Sequence, residues 1–163
     1  YTALGLADSA MAAHKNVIER DPKNSEAHNA LGTVYASQGH IDEALTSYRK
    51  AIEHDPKNAN AYLNIGLVYA AQGNFRDAIQ HYRNAIQYRP TFVGAHNNLG
   101  SVFAEQGLYD LAIQHFEQVL KLAPNYTLAR DNLNHAKSLK QRLEDGEMRA
   151  RHILVDTEAE AQR

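Results

Sequence analysis

The sequence predicts an all-α fold, a right-handed α-α superhelix in which helix-turn-helix repeats form a solenoid. The chain has 163 residues and four prolines, and each proline follows the previous one by 34 residues: Pro22, Pro56, Pro90 and Pro124. Seven of the nine glycines fall in two registers of the same period: Gly32, Gly66 and Gly100, and then Gly5, Gly39, Gly73 and Gly107. Because 34 residues suffice for two short helices and two turns, each period predicts one helical hairpin that stacks on the next.

The first helix of the unit at residues 25–58 is predicted to run from Ser25 to about Gln38. Serine commonly caps helix N-termini, because its hydroxyl accepts a hydrogen bond from a free backbone N–H. Gly39 is predicted to end the helix, since glycine tolerates the left-handed conformation that follows many helices. The apolar residues recur at i, i+3 and i+4, the spacing of one helix face: Leu31, Val34 and Tyr35.

The second helix of this unit is predicted to begin at His40 and to end before Pro56. Proline has no backbone donor and disfavours helical geometry in the residue before it. The apolar stripe of this helix consists of Ile41, Ala44, Leu45, Tyr48, Ala51 and Ile52. Residues 59–92 and 93–126 repeat the whole pattern and are predicted to form two more complete units.

The combined pattern of glycines, alanines, aromatic residues and prolines resembles the tetratricopeptide repeat (TPR) family over roughly residues 1–140. In the third unit the resemblance rests on Leu99, Gly100, Phe103, Gly107, Ala112, Phe116 and Pro124. The aromatic position of the first helix departs modestly from the family, since histidine occupies it in two units: His28, Tyr62 and His96. The resemblance implies a partial repeat at residues 1–24, mostly its second helix, and a C-terminal capping helix at residues 127–145.

The composition is that of an ordinary globular protein, with 44% hydrophobic and 22% charged residues. A formal net charge of −2 argues against nucleic acid, whose binding proteins usually carry a basic stripe. No apolar stretch approaches the length of a membrane span, so no membrane partner is expected. The absence of cysteine excludes disulfides and thiolate metal sites but fits any compartment, with the cytoplasm as the default. The chain opens within a repeat, which indicates a fragment of a longer protein.

Three successive units place asparagine one residue before the Leu-Gly or Ile-Gly register: Asn64, Asn98 and Asn132, where the first unit has Ala30. This series resembles the asparagine ladder of TPR superhelices such as that of O-GlcNAc transferase. The resemblance implies that these amides hold the backbone of an extended peptide in the concave groove. A carboxamide both donates and accepts, so it can bind a peptide unit whatever its side chain. The alternative is that the asparagines only satisfy neighbouring helices.

The rest of the predicted groove is uncharged or acidic, which favours an extended protein segment with small or apolar side chains. Five more residues complete the predicted peptide-binding site: Asn29, Asn97, Thr33, Leu67 and Ser101. Leu63, Ala70 and Ala71 are predicted to flank it, with Glu26, Glu105 and Asp131 as its acidic residues. TPR domains that clamp the carboxylates of chaperone tails use Lys and Arg in the groove. Those residues are missing here, which argues against such a partner.

No catalytic residues, cofactor or metal site are predicted. The nine histidines carry no metal-binding spacing, because His28 and His96 occupy one register and His81 and His115 another, about one repeat apart. Packing or surface roles are therefore expected of them. No nucleophile with its base, no phosphate-binding loop and no acid pair stands out, so the chain is not predicted to be an enzyme.

Residues 146–163 are predicted to leave the repeat and to form a linker with the start of another domain. The segment 149–156 has a β-like apolar run, and Thr157 with Glu160 matches a helix-capping box. These residues resemble the first strand and helix start of parvulin-type prolyl isomerases, and His152 matches the histidine of that strand. The resemblance covers some fifteen residues, so the rest of such a domain would lie beyond Arg163.

The sequence therefore leaves three functions open. The first is a protein-interaction scaffold that binds an extended peptide in its groove. The second is the client-presenting region of a larger prolyl isomerase, whose catalytic domain is absent from this sequence. The third is a self-assembly module, in which the N-terminal edge associates through apolar residues that lack a covering helix: Ala10, Met11, Val17 and Ile18.

Overall fold

The computed structural model describes the backbone of residues 2–161 and the side chains of residues 7–148. This part of the chain is all-α and contains eight helices. They are α1 (Thr2–Arg20), α2 (Ser25–Ser37), α3 (Ile41–His54), α4 (Ala59–Ala71), α5 (Phe75–Tyr88), α6 (Val93–Glu105), α7 (Tyr109–Leu122) and α8 (Thr127–Ala161). None of these helices combines the length and the apolar character that a membrane span requires.

Helices α2 to α7 form three successive hairpins with a short turn inside each one. A glycine with positive φ makes each of these turns: Gly39 (79°), Gly73 (73°) and Gly107 (73°). A residue with a Cβ would be strained in this conformation, which explains why glycine recurs here every 34 residues. The second helix of each hairpin ends just before the X-Pro step, as the proline spacing predicts.

The N-cap of α2 lies one residue earlier than predicted. The cap is Asn24, whose side-chain oxygen accepts a hydrogen bond from the backbone N–H of Ala27 at 2.9 Å. Ser25 is the first helical residue instead, and its hydroxyl donates to the carbonyl of Ala51 at 2.8 Å. The prediction of Ser25 as the cap is wrong because asparagine caps a helix equally well, and the local sequence does not distinguish the two.

The core lies between the two rows of helices and consists of two clusters of buried residues, with the partly buried Tyr69 packed against both. Its alanines are at most 5% exposed, and its aromatic residues are almost fully buried, as Tyr82 and Phe116 show at 1% exposure each. In the described chain each helix contacts its neighbours in the sequence, and the first helices of the hairpins also contact the first helix of the next unit. This nearest-neighbour pattern is typical of a solenoid.

The N-terminal helix differs from its prediction. The register placed a turn at Gly5, but α1 continues through Gly5 without a break. Glycine costs a helix interior only about 1 kcal/mol, so its presence alone does not force a turn. The side chains of residues 1–6 lie outside the described residues.

The C-terminal helix is also longer than predicted. Helix α8 spans 35 residues and passes through the register of the turn glycines, where Gln141 stands. Since glutamine disfavours positive φ, the chain has no turn at this point and stays helical. The N-terminal part of α8 packs on α7, where Leu133 and Ala136 join the core. Lys140 donates to Asp110 at 2.6 Å and so also joins the two helices.

The predicted strand at residues 149–156 and the predicted helix start at Thr157 are wrong, because both segments lie inside α8. A single strand needs a partner strand to pair its backbone, and the described chain offers none, whereas a helix pairs its own. The side chain of His152, on which the resemblance to prolyl isomerases depended, lies outside the described residues.

Candidate functional site

The first helices of the hairpins form the inner face of the solenoid. Helix α2 contacts α4, α4 contacts α6, and α6 contacts α8, while within the described chain no contact joins α3 to α5 or α5 to α7. The row with the closer spacing lies on the inside of the curve. The concave face of this protein is therefore built from α2, α4, α6 and the start of α8.

The ladder position of α4 already has a partner inside the protein. Asn64 donates from Nδ2 to Oδ1 of Asn29 at 2.9 Å, across the contact between α4 and α2. The Nδ2 atom also lies 3.5 Å from the hydroxyl of Thr33. This bond fixes the orientation of the Asn64 amide and directs its oxygen away from Asn29. At this position the amide N–H is hydrogen-bonded to a neighbouring helix, as the alternative to ligand binding predicts.

The ladder position of α6 differs because Leu63 stands where α2 has Asn29. Asn98 is partly exposed, and its carboxamide makes no hydrogen bond within the described part of the chain. Asn132, at the same position of α8, is also partly exposed and also makes none. The donor and acceptor groups of both amides are therefore unused within the described chain.

Two of the predicted binding residues are buried rather than open to the groove. Asn29 is 8% and Asn97 is 6% exposed, because both point into the contact between adjacent first helices. The side-chain oxygen of Asn97 has no hydrogen-bond partner in the described structure. Asn132 follows Asn97 by 35 residues, the same spacing as in the bonded pair Asn29 and Asn64.

The hydroxyl residues of the predicted site turn inward to their own helices. Thr33 donates to the carbonyl of Asn29 at 3.2 Å, and Ser101 donates to the carbonyl of Asn97 at 3.1 Å. Such bonds to the preceding turn use the hydroxyl donor but leave its lone pairs accessible. Leu67 is 44% exposed and provides an apolar surface in the middle of the concave face.

The electrostatic character of the concave face is neutral to acidic. Helices α2, α4 and α6 contain no lysine or arginine. Their acidic residues are Glu26, whose carboxylate accepts from Asn58 at 3.3 Å, and the exposed Glu105. The face therefore has no cation in its three complete units that could bind a carboxylate.

A contact between two histidines was missed by the sequence analysis. The Nδ1 atoms of His96 and His115 lie 3.1 Å apart, so one ring donates to the other. Burial, followed by the nearby His96 and Arg83, lowers the pKa of His115 to about 4. The two residues are 19 apart and belong to different registers, so only the packing of α6 on α7 brings them together. No group of three metal-ligating side chains occurs in the described chain.

Comparison with protein families identifies the repeat. A TPR repeat model matches residues 32–73, and two tetratricopeptide repeat models match residues 15–46 and 63–127. Together the three matches cover residues 15–127, which include the three hairpins and the last six residues of α1. The chain belongs to the tetratricopeptide repeat family. Sequence comparison with curated proteins gives no match.

Solved TPR structures share the fold. The crystal structure of MamA protein is 28% identical with a TM-score of 0.72, over 86% of this chain and 76% of that one. The first TPR of Spaghetti (RPAP3), bound to the HSP90 peptide SRMEEVD, is 25% identical with a TM-score of 0.68, over 76% and 96%. YrrB, described as a TPR protein with an unusual peptide-binding site, is 21% identical with a TM-score of 0.67, over 86% and 72%, and shows the fold alone.

These similarities support a general role in protein–protein interaction without identifying a partner. TPR proteins generally mediate protein–protein interactions and are typically scaffolds rather than enzymes, and the similar structures include one with a bound peptide. The described residues bring together no catalytic group that points to another activity.

Proposed function

We propose that this protein binds an extended peptide segment along its concave face. The observation that carries the proposal is the state of Asn98. Its carboxamide lies on the inner face, is partly exposed and has no hydrogen-bond partner in the described chain. A carboxamide in this state can accept from a peptide N–H and donate to the adjacent C=O.

Asn132 extends the grip along α8, and Asn64 contributes its oxygen, while its N–H group is held by Asn29. Asn29 orients the Asn64 amide and is buried, and Asn97 is buried as well, so neither is proposed to contact the ligand. Each direct hydrogen bond adds about 0.5–1.5 kcal/mol, so two or three of them predict weak binding that tolerates many sequences.

The charge of the groove excludes one class of peptide. The peptide seen with RPAP3, SRMEEVD, carries three acidic side chains and a terminal carboxylate. The three complete units here offer no lysine or arginine on their first helices. A neutral segment with small or apolar side chains fits better, because Leu67 offers it an exposed apolar contact.

The test is a titration of unstructured peptides against the wild type and two single variants, Asn98→Ala and Asn64→Ala. We expect Asn98→Ala to weaken binding about three- to ten-fold, the loss of one or two hydrogen bonds. Asn64→Ala should weaken it less, because half of that amide is already bonded to Asn29. Isothermal calorimetry gives the affinities, and thermal unfolding checks that each variant is folded.

A triple variant, Asn64→Ala with Asn98→Ala and Asn132→Ala, completes the series and should bind no peptide measurably. A matched control is Asn84→Ala on α5, which removes a partly buried amide outside the concave face. Equal binding by the wild type and the triple variant would rule out the ladder as the grip. An acidic peptide that binds as tightly as a neutral one would contradict the charge argument.

The two other functions suggested by the sequence stay predictions. Presentation of clients to a prolyl isomerase depends on sequence beyond Arg163, and a continued parvulin pattern there would support it.

Self-assembly rests on the N-terminal edge, where Val17 is 40% exposed although its register equivalents Ala51 and Ala85 have no exposed surface. Light scattering over a concentration series tests this second prediction.

A further inference from the structure

In the unit at residues 59–92, a histidine ring fills a slot between two aromatic residues. His81 stacks on Tyr69, with ring centroids 5.5 Å apart and planes inclined by 22°. The same ring lies 6.1 Å from Tyr62. We name this space the ring slot. It is bounded by the two aromatic residues of the first helix, and the histidine ring enters it from the second helix.

The next unit repeats the arrangement. His115 stacks on Phe103 with centroids 5.6 Å apart and planes inclined by 25°, and its ring lies 5.4 Å from that of His96. His96 bonds through Nε2 to the carbonyl of Pro90 at 2.9 Å. Because a carbonyl only accepts, Nε2 of His96 carries the proton and Nδ1 of the neutral ring is an acceptor. That acceptor receives the N–H of His115 at 3.1 Å.

The first unit has the same walls, but in the described chain no ring packs against both of them. His54 lies 5.2 Å from His28, in the register of Tyr88, and does not take the place of His81. Ser47 stands in the register of His81 and His115, and its hydroxyl bonds to the carbonyl of Glu43 at 2.9 Å. A pocket of about 480 Å³ opens at this place, and its walls include His28, Leu31 and Tyr35. This volume lies in the range of small-molecule sites. The serine therefore leaves the ring slot of this unit open.

One nitrogen of His28, a residue that lines the open slot, has no hydrogen-bond partner in the described chain. His28 is 6% exposed, and its Nε2 bonds to the carbonyl of Pro22 at 2.9 Å, as His96 does to Pro90. The Nδ1 atom of the neutral ring is again an acceptor, but the described structure gives it no donor, because Ser47 does not reach it. The third unit shows which group completes this geometry, namely an aromatic N–H in the position of His115.

The rim of the pocket is mixed in charge. Lys15 and Lys50 carry positive charge, and the ammonium of Lys15 lies 6.0 Å from the centroid of the Tyr35 ring. Glu19, Asp42 and Glu43 carry negative charge. Since the cation of Lys15 already faces the Tyr35 wall, a neutral ring fits the slot better than a cationic one.

We propose that the open ring slot of the first unit binds a neutral planar heteroaromatic ring with an N–H donor. The ring stacks on Tyr35 and donates its N–H to Nδ1 of His28. This site lies between α1, α2 and α3, outside the concave ladder, so it is independent of the proposed peptide groove. An indole or imidazole group has this chemistry, either as a free small molecule or as a side chain of a partner protein.

The first experiment uses indole as the probe and its N-methyl derivative, which lacks the donor, as the matched control. Two-dimensional ¹H–¹⁵N NMR at about pH 8, where imidazoles are ordinarily neutral, reports affinity and location. We expect saturable indole shifts centred on His28, Tyr35 and Ser47, and affinity for 1-methylindole weaker by roughly five-fold, the worth of one hydrogen bond. Absence of saturable shifts in the wild type, as for a slot that holds only water, overturns the proposal.

The decisive variant is Ser47→His, which supplies the chain's own ring as the other two units do. We expect it to reduce indole affinity by more than ten-fold, since the added imidazole occupies the slot. If Ser47→His binds indole like the wild type, the slot is not the site and the proposal fails.

Two further variants separate the hydrogen bond from simple packing. His28→Phe keeps a ring at a register where Tyr62 shows that a six-membered ring fits. We expect it to abolish the difference between indole and 1-methylindole, whereas a purely structural effect would weaken both probes equally and contradict the hydrogen bond. His115→Ser opens a second slot against His96 and should raise the indole stoichiometry from one to two. A thermal melt confirms that each variant is folded.

A third probe, the tripeptide N-acetyl-Gly-Trp-Gly-amide, identifies the source of the ring. Binding at least as tight as that of indole assigns the slot to a partner's side chain. Binding of indole without binding of the tripeptide assigns it to a free small molecule, and both results support the same chemistry.

Discussion

Glycines at two positions of this chain show how one residue type serves opposite needs. At Gly100 an added Cβ would lie 2.8 Å from Cε1 and 3.0 Å from Cδ1 of Phe116. At Gly146, inside α8, it would meet no atom within 4 Å. The first glycine is required by helix packing, and the second only weakens its helix.

We therefore expect Gly100→Ala to destabilise the protein by about 1–3 kcal/mol, because the overpacking of Phe116 exceeds the gain in helix propensity. Gly146→Ala should stabilise it or leave it unchanged, by at most about 1 kcal/mol. Urea unfolding of both variants measures the difference. Phe116→Leu should cost less in the Gly100→Ala background than in the wild type, since it removes the clash. Additive costs would show that glycine recurs in the register of Gly100 for another reason.

The repeat period predicts which residues occupy equivalent positions on one face, but it does not predict the hydrogen-bond partners of their side chains. The positions of Asn64 and Asn98 on one face follow from the period of 34 residues. Their different states depend on whether Asn29 or Leu63 lies opposite, which is decided by the distance between neighbouring helices. The missed pair of His96 and His115 has the same cause, since no period relates two different registers.

At the scale of the element, the hairpins α2–α3, α4–α5 and α6–α7 end where glycine and proline predict, because both residues act through local backbone geometry. Predictions fail at the two terminal helices. Gly5 and Gln141 share the register of the turn glycines, yet both lie inside helices. A turn forms when a following or preceding helix packs back on the chain, and local sequence alone does not reveal whether such a partner exists.

The hairpin of α6 and α7 should also make stability depend on pH. Burial, together with His96 of α6 and Arg83 of α5, lowers the pKa of His115 from 6.5 to about 4. The unfolded chain then binds more protons between these values, so the free energy of unfolding rises with pH across this window. The contribution is complete above about pH 6.5 and is lost as the pH falls toward about 4. His81 acts in the same direction, because burial lowers its pKa as well.

We expect the wild type to lose about 2 kcal/mol more than His115→Gln between pH 7 and pH 4.5, a value reduced from the full linkage because the ring is only partly buried. Urea unfolding at both pH values gives the two differences. Equal losses would show that His115 does not titrate abnormally in the folded protein. His135→Gln on α8 is the matched control, since that histidine is exposed.

At the scale of the whole molecule, stability is a sum over neighbours rather than a property of one closed core. Each helix contacts the next one, the first helices of successive units also contact each other, and no contact in the described chain joins the two ends. The buried aromatic residues with the least exposed surface lie in the second and third units, at Tyr82 and Phe116. The ends therefore have one stacking neighbour where the central units have two.

Hydrogen exchange should reveal this gradient directly. Amides of α4, α5 and α6 should exchange most slowly, near the rate of global unfolding, since they lie between packed units on both sides. Amides of residues 141–148 of α8 should exchange orders of magnitude faster although they are helical, because most of these side chains are exposed, with Leu143 at 56% and Met148 at 60%. Mass spectrometry of peptic fragments resolves the two regions. If residues 141–148 are strongly protected and this protection disappears on dilution, the helix packs on a second copy of the chain. The N-terminal and C-terminal edges would then be interfaces of an assembly rather than uncovered surfaces.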